Sequence, residues 1–237
     1  MNKQIFTMAG IVIGLCFSSC SKIKGDGPVI TESRAVKGFS RIRAAMSGDI
    51  YVRQDSVYKV EIHAQKNIID VLNTNVNDGQ LKIDFDHNKR IGNHDRIEIF
   101  ISCPNVEGLS VSGSGNITAM NKLTPSAIDL NVSGSGTLSV AELSTGSIDA
   151  SISGSGDIVV LNGQAAYVNT DISGSGYLDL MGVAATAANT RISGSGDTKV
   201  NVSDELSVKI SGSGDVYYRG RPRITTNISG SGKLIAQ

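Results

Sequence analysis

A tetrapeptide returns along this chain at a nearly constant interval. Ser-Gly-Ser-Gly occurs seven times, and its copies begin at Ser112, Ser133, Ser153, Ser173, Ser193, Ser211 and Ser229. The successive intervals are 21, 20, 20, 20, 18 and 18 residues. A period near 20 residues predicts a solenoid, in which each repeat forms one rung that stacks on its neighbours. The segment Met46-Ser47-Gly48-Asp49-Ile50 resembles a degenerate eighth copy.

The residues around each tetrapeptide alternate between apolar and polar. The residue directly before it is always β-branched and apolar: Val111, Val132, Ile152, Ile172, Ile192, Ile210 and Ile228. The residue before that one is always polar: Ser110, Asn131, Ser151, Asp171, Arg191, Lys209 and Asn227. The second residue after the tetrapeptide is apolar with one exception, Thr198. Alternation with period two on both sides of a turn predicts a strand, a turn and a second strand, so the fold class is all-β.

Repeated units of this kind predict a parallel β-helix-like solenoid with rungs of about 20 residues. A sandwich would not present the same class of residue at the same register seven times. We expect the β-branched residues to stack inside the solenoid, and the serine hydroxyls to form a hydrogen-bond ladder along the turn. The glycines should allow positive φ angles and close approach of the rungs. These turn glycines are Gly113, Gly115, Gly134, Gly136, Gly154, Gly156, Gly174, Gly176, Gly194, Gly196, Gly212, Gly214, Gly230 and Gly232.

Residues 29–103 lack the tetrapeptide but keep the alternation of strands. Examples are Ile50-Tyr51-Val52-Arg53-Gln54 and Ile97-Glu98-Ile99-Phe100-Ile101. The segment Asn77-Asp78-Gly79-Gln80 is a turn signal. We expect irregular rungs or a capping subdomain here, because the open end of a solenoid must be covered to prevent edge-to-edge pairing.

The first twenty residues are typical of a bacterial targeting signal. Lys3 precedes an apolar run over residues 5–17, which is too short to span a bilayer. The following Ser18-Ser19-Cys20, with Phe17, resembles a lipobox, in which the cysteine is acylated and becomes the first residue of the mature chain. The prediction is a signal peptide over residues 1–19 and a lipidated tether over residues 20–36, with lipid on Cys20. The alternative is an ordinary secretory signal.

The cysteines agree with this interpretation. If Cys16 leaves with the signal and Cys20 carries lipid, only Cys103 remains, so no disulfide can form within the mature chain. Cys103 ends an apolar strand and has no histidine close in sequence. We therefore interpret it as a small buried hydrophobic residue and not as a nucleophile.

Charge and composition exclude some functions. The chain has 22 basic and 22 acidic residues, and this balance argues against a nucleic-acid-binding protein. Aromatic residues make up 5% of the chain and tryptophan is absent, which argues against a platform for stacking sugars.

The repeats and the blocks around them resemble a known family. The blocks are Val36-Lys37-Gly38-Phe39-Ser40-Arg41-Ile42, Gly48-Asp49-Ile50-Tyr51-Val52, Asp78-Gly79-Gln80-Leu81-Lys82-Ile83 and Gly214-Asp215-Val216-Tyr217-Tyr218-Arg219-Gly220-Arg221-Pro222. In this order they are similar to the auto-transporter adhesin head GIN domain family, a family of unknown function common in envelope lipoproteins of Gram-negative bacteria. The resemblance implies a right-handed parallel β-helix-like domain over residues 37–237, with irregular rungs or a cap over 37–108 and the repeats over 109–237. It brings no catalytic residues and no cofactor.

Two groups of residues are candidate binding sites. Tyr217, Tyr218, Arg219, Arg221 and Arg223 form the one dense basic and aromatic cluster, and could contact an acidic glycan or a lipid head group. The alternative is a solvated rim of the solenoid. Asp157, Asp197 and Asp215 follow the tetrapeptide, but other residues interrupt this column, so solvated turn residues are favoured over a calcium site. His87 and His94 lie in a polar loop and lack a third ligand, and no metal site is predicted.

The leading hypothesis is a non-enzymatic, lipid-anchored protein of the cell envelope, at the outer membrane, that serves as an adhesin or surface binding module. Its partners would be a membrane, through Cys20, and a glycan or protein ligand, but no nucleic acid. The alternatives are a carbohydrate-active β-helix enzyme, such as a polysaccharide lyase, and a passive scaffold. Short rungs leave no room for long loops over a catalytic groove, which counts against the enzyme.

Overall fold

A computed structural model describes residues 22–237, and the predicted signal peptide and Cys20 lie outside this range. The strands are β1 Lys22–Ile23, β2 Val29–Ser33, β3 Arg41–Ala45, β4 Asp49–Gln54, β5 Lys59–Gln65, β6 Leu72–Asn77, β7 Gln80–Phe85, β8 Arg90–Ile91, β9 Glu98–Cys103, β10 Gly108–Gly113, β11 Asn116–Leu123, β12 Ala127–Gly134, β13 Thr137–Gly154, β14 Asp157–Val160, β15 Gly163–Gly174, β16 Tyr177–Gly194, β17 Asp197–Gly212, β18 Val216–Arg219, β19 Arg223–Gly230 and β20 Leu234–Ala236. A short helix, α1, covers Lys66–Ile69. No helix in the described range is long and apolar enough to cross a membrane.

The strands form two parallel stacks joined by the Ser-Gly-Ser-Gly corners. Face A contains the strands that lead into the corners: β7, β3, β10, β12, the second halves of β13, β15, β16 and β17, and β19. Face B contains the strands that leave them: β9, β4, β11, the first half of β13, β14, the first halves of β16 and β17, β18 and β20. The predicted all-β parallel solenoid is confirmed.

The apolar column before the corners fills the interior, as the alternation predicts. Val132, Ile152 and Ile172 pair in register with one another and are at most 2% exposed. The polar neighbours on the same strands face outward. Only the last member of the column, Ile228, is 40% exposed, because it lies in the last rung.

The two glycines of each corner have different structural roles. Gly174, a first glycine, has a φ of 130°, and a Cβ there would collide with the carbonyl oxygen of Gly154 in the preceding rung. Gly176, a second glycine, is not in the positive-φ region, but a Cβ there would lie 2.5 Å from Cγ2 of Ile152 and 2.6 Å from the oxygen of Gly156. The expectation of positive φ is therefore wrong for the second glycine, whereas close approach applies to both.

The hydrogen-bond ladder along the corners is made by the backbone. The Ser175 amide donates to the Gly154 carbonyl at 2.8 Å, and the Ser195 amide donates to the Gly174 carbonyl at 2.9 Å. The expected ladder of serine hydroxyls is wrong: within residues 22–237 no corner serine bonds to another through its side chain. Ser112 accepts a hydrogen bond from Nη2 of Arg43 at 3.2 Å, and the other corner serines are exposed along the array.

The rungs do not follow chain order at the N-terminal end. The rung of β3 and β4 lies between the rung of β7 and β9 and the rung of β10 and β11. This register places Met46-Ser47-Gly48 beside the first Ser-Gly-Ser-Gly, and the Asn116 amide donates to the Gly48 carbonyl at 2.8 Å. Met46–Gly48 therefore forms a corner, as its resemblance to an eighth copy predicts.

Antiparallel strands cover the N-terminal end of the stack. β6 pairs antiparallel with β7, and β5 pairs antiparallel with both β9 and β2. Between β5 and β6, Ile68 and Ile69 of α1 are completely buried in the core. The turn between β6 and β7 lies at Asp78 and Gly79, both with positive φ, as the sequence signal predicts.

Candidate ligand-binding groove

A concave surface lies on the outside of face B, next to the capped end. Its volume is about 350 Å³, and we call it the aromatic groove; Tyr51, Arg53, Asp55, Lys59, His63 and Phe100 line it. The local sequence explains these positions, because β4 alternates strictly. Ile50 and Val52 point into the core, so Tyr51 and Arg53 must point outward.

Three rings from three strands meet in the aromatic groove. Tyr51 of β4 pairs in register with Phe100 of β9, and their ring centroids are 5.0 Å apart with planes 22° apart. The His63 ring of β5 lies 4.9 Å from the Phe100 ring and is tilted by 50°. All three side chains are half-buried. The groove therefore offers partly exposed aromatic surface held on rigid strands.

An ion pair and a hydrogen bond, both to Glu61, border the rings on β5. Nζ of Lys59 lies 2.6 Å from Oε2 of Glu61, and Oε1 of Glu61 lies 2.8 Å from Nε2 of His63. Hydrogen bonds from Lys59 and then His63 lower the pKa of Glu61. Lys59 and Glu61 thus neutralise each other, and this part of the groove carries little net charge.

Two other charged residues of the groove, Arg53 and Asp55, form no ion pair with any residue between 22 and 237. Both side chains are exposed at the edge of the groove. The site therefore presents one cation, Arg53, and one anion, Asp55, whose Oδ1 accepts a hydrogen bond from the Ser56 hydroxyl at 3.2 Å and whose Oδ2 has no hydrogen-bond partner among residues 22–237.

A second network supports the hydroxyl end of Tyr51. Arg96 donates from Nε to Oδ2 of Asp49 at 2.8 Å and from Nη2 to the Tyr51 hydroxyl at 3.4 Å. Asn116 donates to the other oxygen of Asp49 at 2.9 Å. The hydrogen bond from Asn116, followed by those from Arg96, lowers the pKa of Asp49, so the carboxylate stays ionised and holds Arg96 beside the ring.

Low aromatic content argued against a platform for stacking sugars, but strand pairing brings three aromatic rings together in this groove. Composition is an average over the whole chain, whereas three aromatic rings are enough to form an aromatic surface when strand pairing brings them together. The only local signal is that Tyr51, His63 and Phe100 occupy polar positions of their alternating strands. An aromatic residue at an outward position of a strand indicates a candidate contact surface.

The predicted basic cluster is divided between several environments. Tyr218 packs against the core, and Arg223 forms an ion pair with Glu205 at 2.7 Å. Tyr217 faces outward beside Lys199, whose Nζ lies 5.8 Å from the ring centroid. Arg219 and Arg221 are exposed. The structure does not bring these five side chains to one surface.

The aspartates after the corners bond to the backbone. Oδ1 of Asp197 accepts from the Asp215 amide at 2.8 Å, and Oδ1 of Asp215 accepts from the Lys233 amide at 2.8 Å. In the part of the chain that the structure describes, no three acidic, histidine or cysteine side chains come close enough to hold a metal ion. Asp197 and Asp215 thus link consecutive rungs.

Cys103 is fully buried, as its interpretation as a small hydrophobic residue predicts. Burial raises the pKa of its thiol to about 11. The thiol donates to the Asn105 carbonyl at 3.2 Å. A thiol with this pKa is almost entirely protonated near neutral pH, which makes it a poor nucleophile.

Fold and surface together define a class of protein: a β-solenoid whose interior is filled by its own side chains and whose outer face carries a ligand-sized groove. The chain belongs to the family described as "Putative auto-transporter adhesin, head GIN domain", whose model matches residues 38–222. This confirms the family that the repeats and the sequence blocks predict. No protein of curated function matches the chain.

Solved structures are similar over almost the whole chain. A "putative adhesin" from Bacteroides fragilis is 26% identical, with a TM-score of 0.86, and the match covers 91% of this chain and 100% of that one. A "putative lipid binding protein" from Parabacteroides distasonis is 23% identical, with a TM-score of 0.75, and the match covers 92% and 100%. A "putative adhesin" from Parabacteroides merdae is 22% identical, with a TM-score of 0.74, and the match covers 91% and 99%. Because the two Parabacteroides proteins are less than 25% identical to this chain, their similarity establishes a common fold alone.

Proposed function

We propose that this protein is a non-enzymatic binding module of the outer membrane, held there by lipid on Cys20, and that it acts as an adhesin. Its family and the similar protein of Bacteroides fragilis carry adhesin descriptions, which support a cell-surface or envelope protein with an adhesin-like role. The similar Parabacteroides distasonis protein is described as lipid-binding, which agrees with a location near a membrane.

The observation that carries the proposal is the burial of the interior. The inward columns of both faces are buried along the array and, apart from Thr170, Thr190 and Thr198, apolar, so a ligand would meet the outer surface. The aromatic groove is an outer concavity lined by aromatic and polar side chains, which suits it to this contact. Exposed Arg219 and Arg221 are a second contact point in the proposal, since two guanidinium groups suit an acidic glycan or lipid head group.

The described side chains also favour binding over catalysis. The only thiol in the described range is buried and has a raised pKa. His63, the one histidine in the groove, bonds to Glu61. A buried thiol with a raised pKa is a poor nucleophile, which argues against covalent catalysis through Cys103.

Lipid attachment is tested by metabolic labelling with a palmitate analogue in a bacterium that processes lipoproteins. Wild-type protein and the control Cys103→Ala should be labelled and should sediment with the outer membrane. Cys20→Ala should lose the label and leave the membrane fraction. Equal labelling of Cys20→Ala and wild type would refute attachment at this residue.

Adhesion is tested with the same strains. Cells that carry the wild-type protein should bind to glycan-coated or host-cell surfaces more strongly than cells without it, and the purified protein should leave those glycans intact. Release of unsaturated sugars from a polysaccharide would identify a lyase, and equal attachment by both strains would refute the adhesin.

A further inference from the structure

We propose that the aromatic groove binds a short stretch of an uncharged oligosaccharide, an inference that rests on the proposed function and names its ligand class. The C–H face of a pyranose ring is apolar and packs on an aromatic ring, while its hydroxyl groups need polar partners. Tyr51 and Phe100 stack on each other, and the part of the two rings that remains exposed supplies the aromatic surface. A largely apolar concavity with a few polar groups is the general form of a small-ligand site, and about 350 Å³ lies in the usual range.

The groove's two charged side chains that lack ion-pair partners in the described part of the chain can both form hydrogen bonds with sugar hydroxyl groups. Arg53 offers only hydrogen-bond donors, and the Asp55 carboxylate offers only acceptors. A sugar hydroxyl is a donor and an acceptor at once, so adjacent hydroxyls can satisfy both side chains. Both lie at the edge of the groove and lack ion-pair partners within the described residues.

The balance of charge favours a neutral ligand. Lys59 is already paired with Glu61, which leaves one positive and one negative side chain, Arg53 and Asp55. A uronate or a phosphate would gain from Arg53 but would be repelled by Asp55. An uncharged saccharide is not repelled by Asp55.

The floor of the groove disfavours an extended peptide. β9 pairs with β4 and β5, β4 also pairs with β11, and β5 also pairs with β2. Each strand is therefore paired on both sides, and no free backbone edge can accept an added strand. Recognition must come from side chains alone, which suits a sugar better than a main chain.

The test uses the full-length protein, purified in detergent, on an array of neutral tetrasaccharides and uronate tetrasaccharides, with calorimetry on the best neutral probe. At least one neutral probe should bind, with little change between low and high salt. Arg53→Gln and Asp55→Asn should each weaken binding about tenfold or more, as expected for hydrogen bonds to charged groups. Both residues are exposed, so folding should be retained, and circular dichroism checks this. Tyr51→Leu should also weaken binding by removing the ring.

Matched controls carry the same substitutions on face A. Asp171→Asn and Arg191→Gln alter exposed residues of adjacent rungs and should leave binding unchanged. No neutral ligand, tighter and salt-sensitive binding of uronates that is lost in Arg53→Gln, or equal loss in the controls would overturn the inference.

Cell attachment separates this inference from the proposed function. If cells with wild-type protein attach and cells with Asp55→Asn attach equally well, adhesion exists but does not use the groove, and only the ligand inference fails. If wild-type cells do not attach at all, the proposed function fails. Loss of attachment in Asp55→Asn together with loss of neutral-glycan binding supports both.

Discussion

Replacement of Gly174 by alanine tests why the tetrapeptide is repeated. The residue has a φ of 130° and lies against the Gly154 carbonyl. Gly113 is the matched control, because its φ is 107° but no atom of the described part of the chain lies within 4 Å of a Cβ built on it. Both substitutions strain the backbone, and only Gly174→Ala also forces two rungs apart.

The expected magnitudes follow from this comparison. Positive φ costs a non-glycine residue about 1–3 kcal/mol, and this applies to both variants. Separation of the rungs at Gly174 also weakens the bonds from the Ser175 amide to Gly154 and from the Ser195 amide to Gly174, at a net cost of about 1 kcal/mol each. Gly174→Ala should therefore destabilise the protein by about 3–5 kcal/mol, against about 1–3 kcal/mol for Gly113→Ala.

Urea unfolding of residues 22–237, followed by circular dichroism, measures these differences. The unfolding midpoint should fall for both variants and clearly further for Gly174→Ala. An unchanged midpoint for Gly174→Ala would refute the role of close rung approach. Equal losses in both variants would mean that backbone conformation alone explains the glycine.

Three further outcomes can be checked on the same protein. The Thr190 hydroxyl is fully buried and has no hydrogen-bond partner among residues 22–237, so Thr190→Val should raise the free energy of unfolding by about 1 kcal/mol, and a loss of stability would mean that the hydroxyl has a hydrogen-bond partner. Ile172→Asp should cost several kcal/mol in urea unfolding, since Ile172 is completely buried, whereas the outward Asp171→Ala should cost under about 0.5 kcal/mol; similar losses would mean that the strand faces are assigned the wrong way. Cys103 should resist alkylation at pH 8 in the native state and react after unfolding in urea, as followed by mass spectrometry, because its pKa is raised to about 11; rapid native labelling would contradict its burial.

The repeat array could be predicted closely because its information is local. Each strand shows its inward and outward sides by alternation, and the tetrapeptide marks every corner, so Ile172 could be assigned to the core and Asp171 to the surface. The corner at Met46–Gly48 was also recognisable from its own residues. The backbone bonding of Ser175 was missed, because residue type shows that a hydroxyl is present but not which group bonds the next rung.

The aromatic groove was not predictable in this way. Tyr51, His63 and Phe100 come from three strands, and their meeting depends on β9 pairing with both β4 and β5. In the basic cluster near Tyr217, Tyr218 packs against the core whereas the three arginines are exposed. Residues adjacent in sequence therefore need not share one surface, and the binding role of this cluster stays a prediction.

The sequence by itself determined the all-β class, the rung length, the position of the corners and the side of each strand that is buried. These properties follow from a period of two within strands and of about 20 residues between rungs, which short segments already display. The tertiary structure alone decided that the rung of β3 and β4 lies between two later rungs, that β5 and β6 run antiparallel to the stack, and that the groove forms beside them. Pairing between distant strands depends on which arrangement buries the most apolar surface and satisfies the most backbone groups, and no local pattern records that choice.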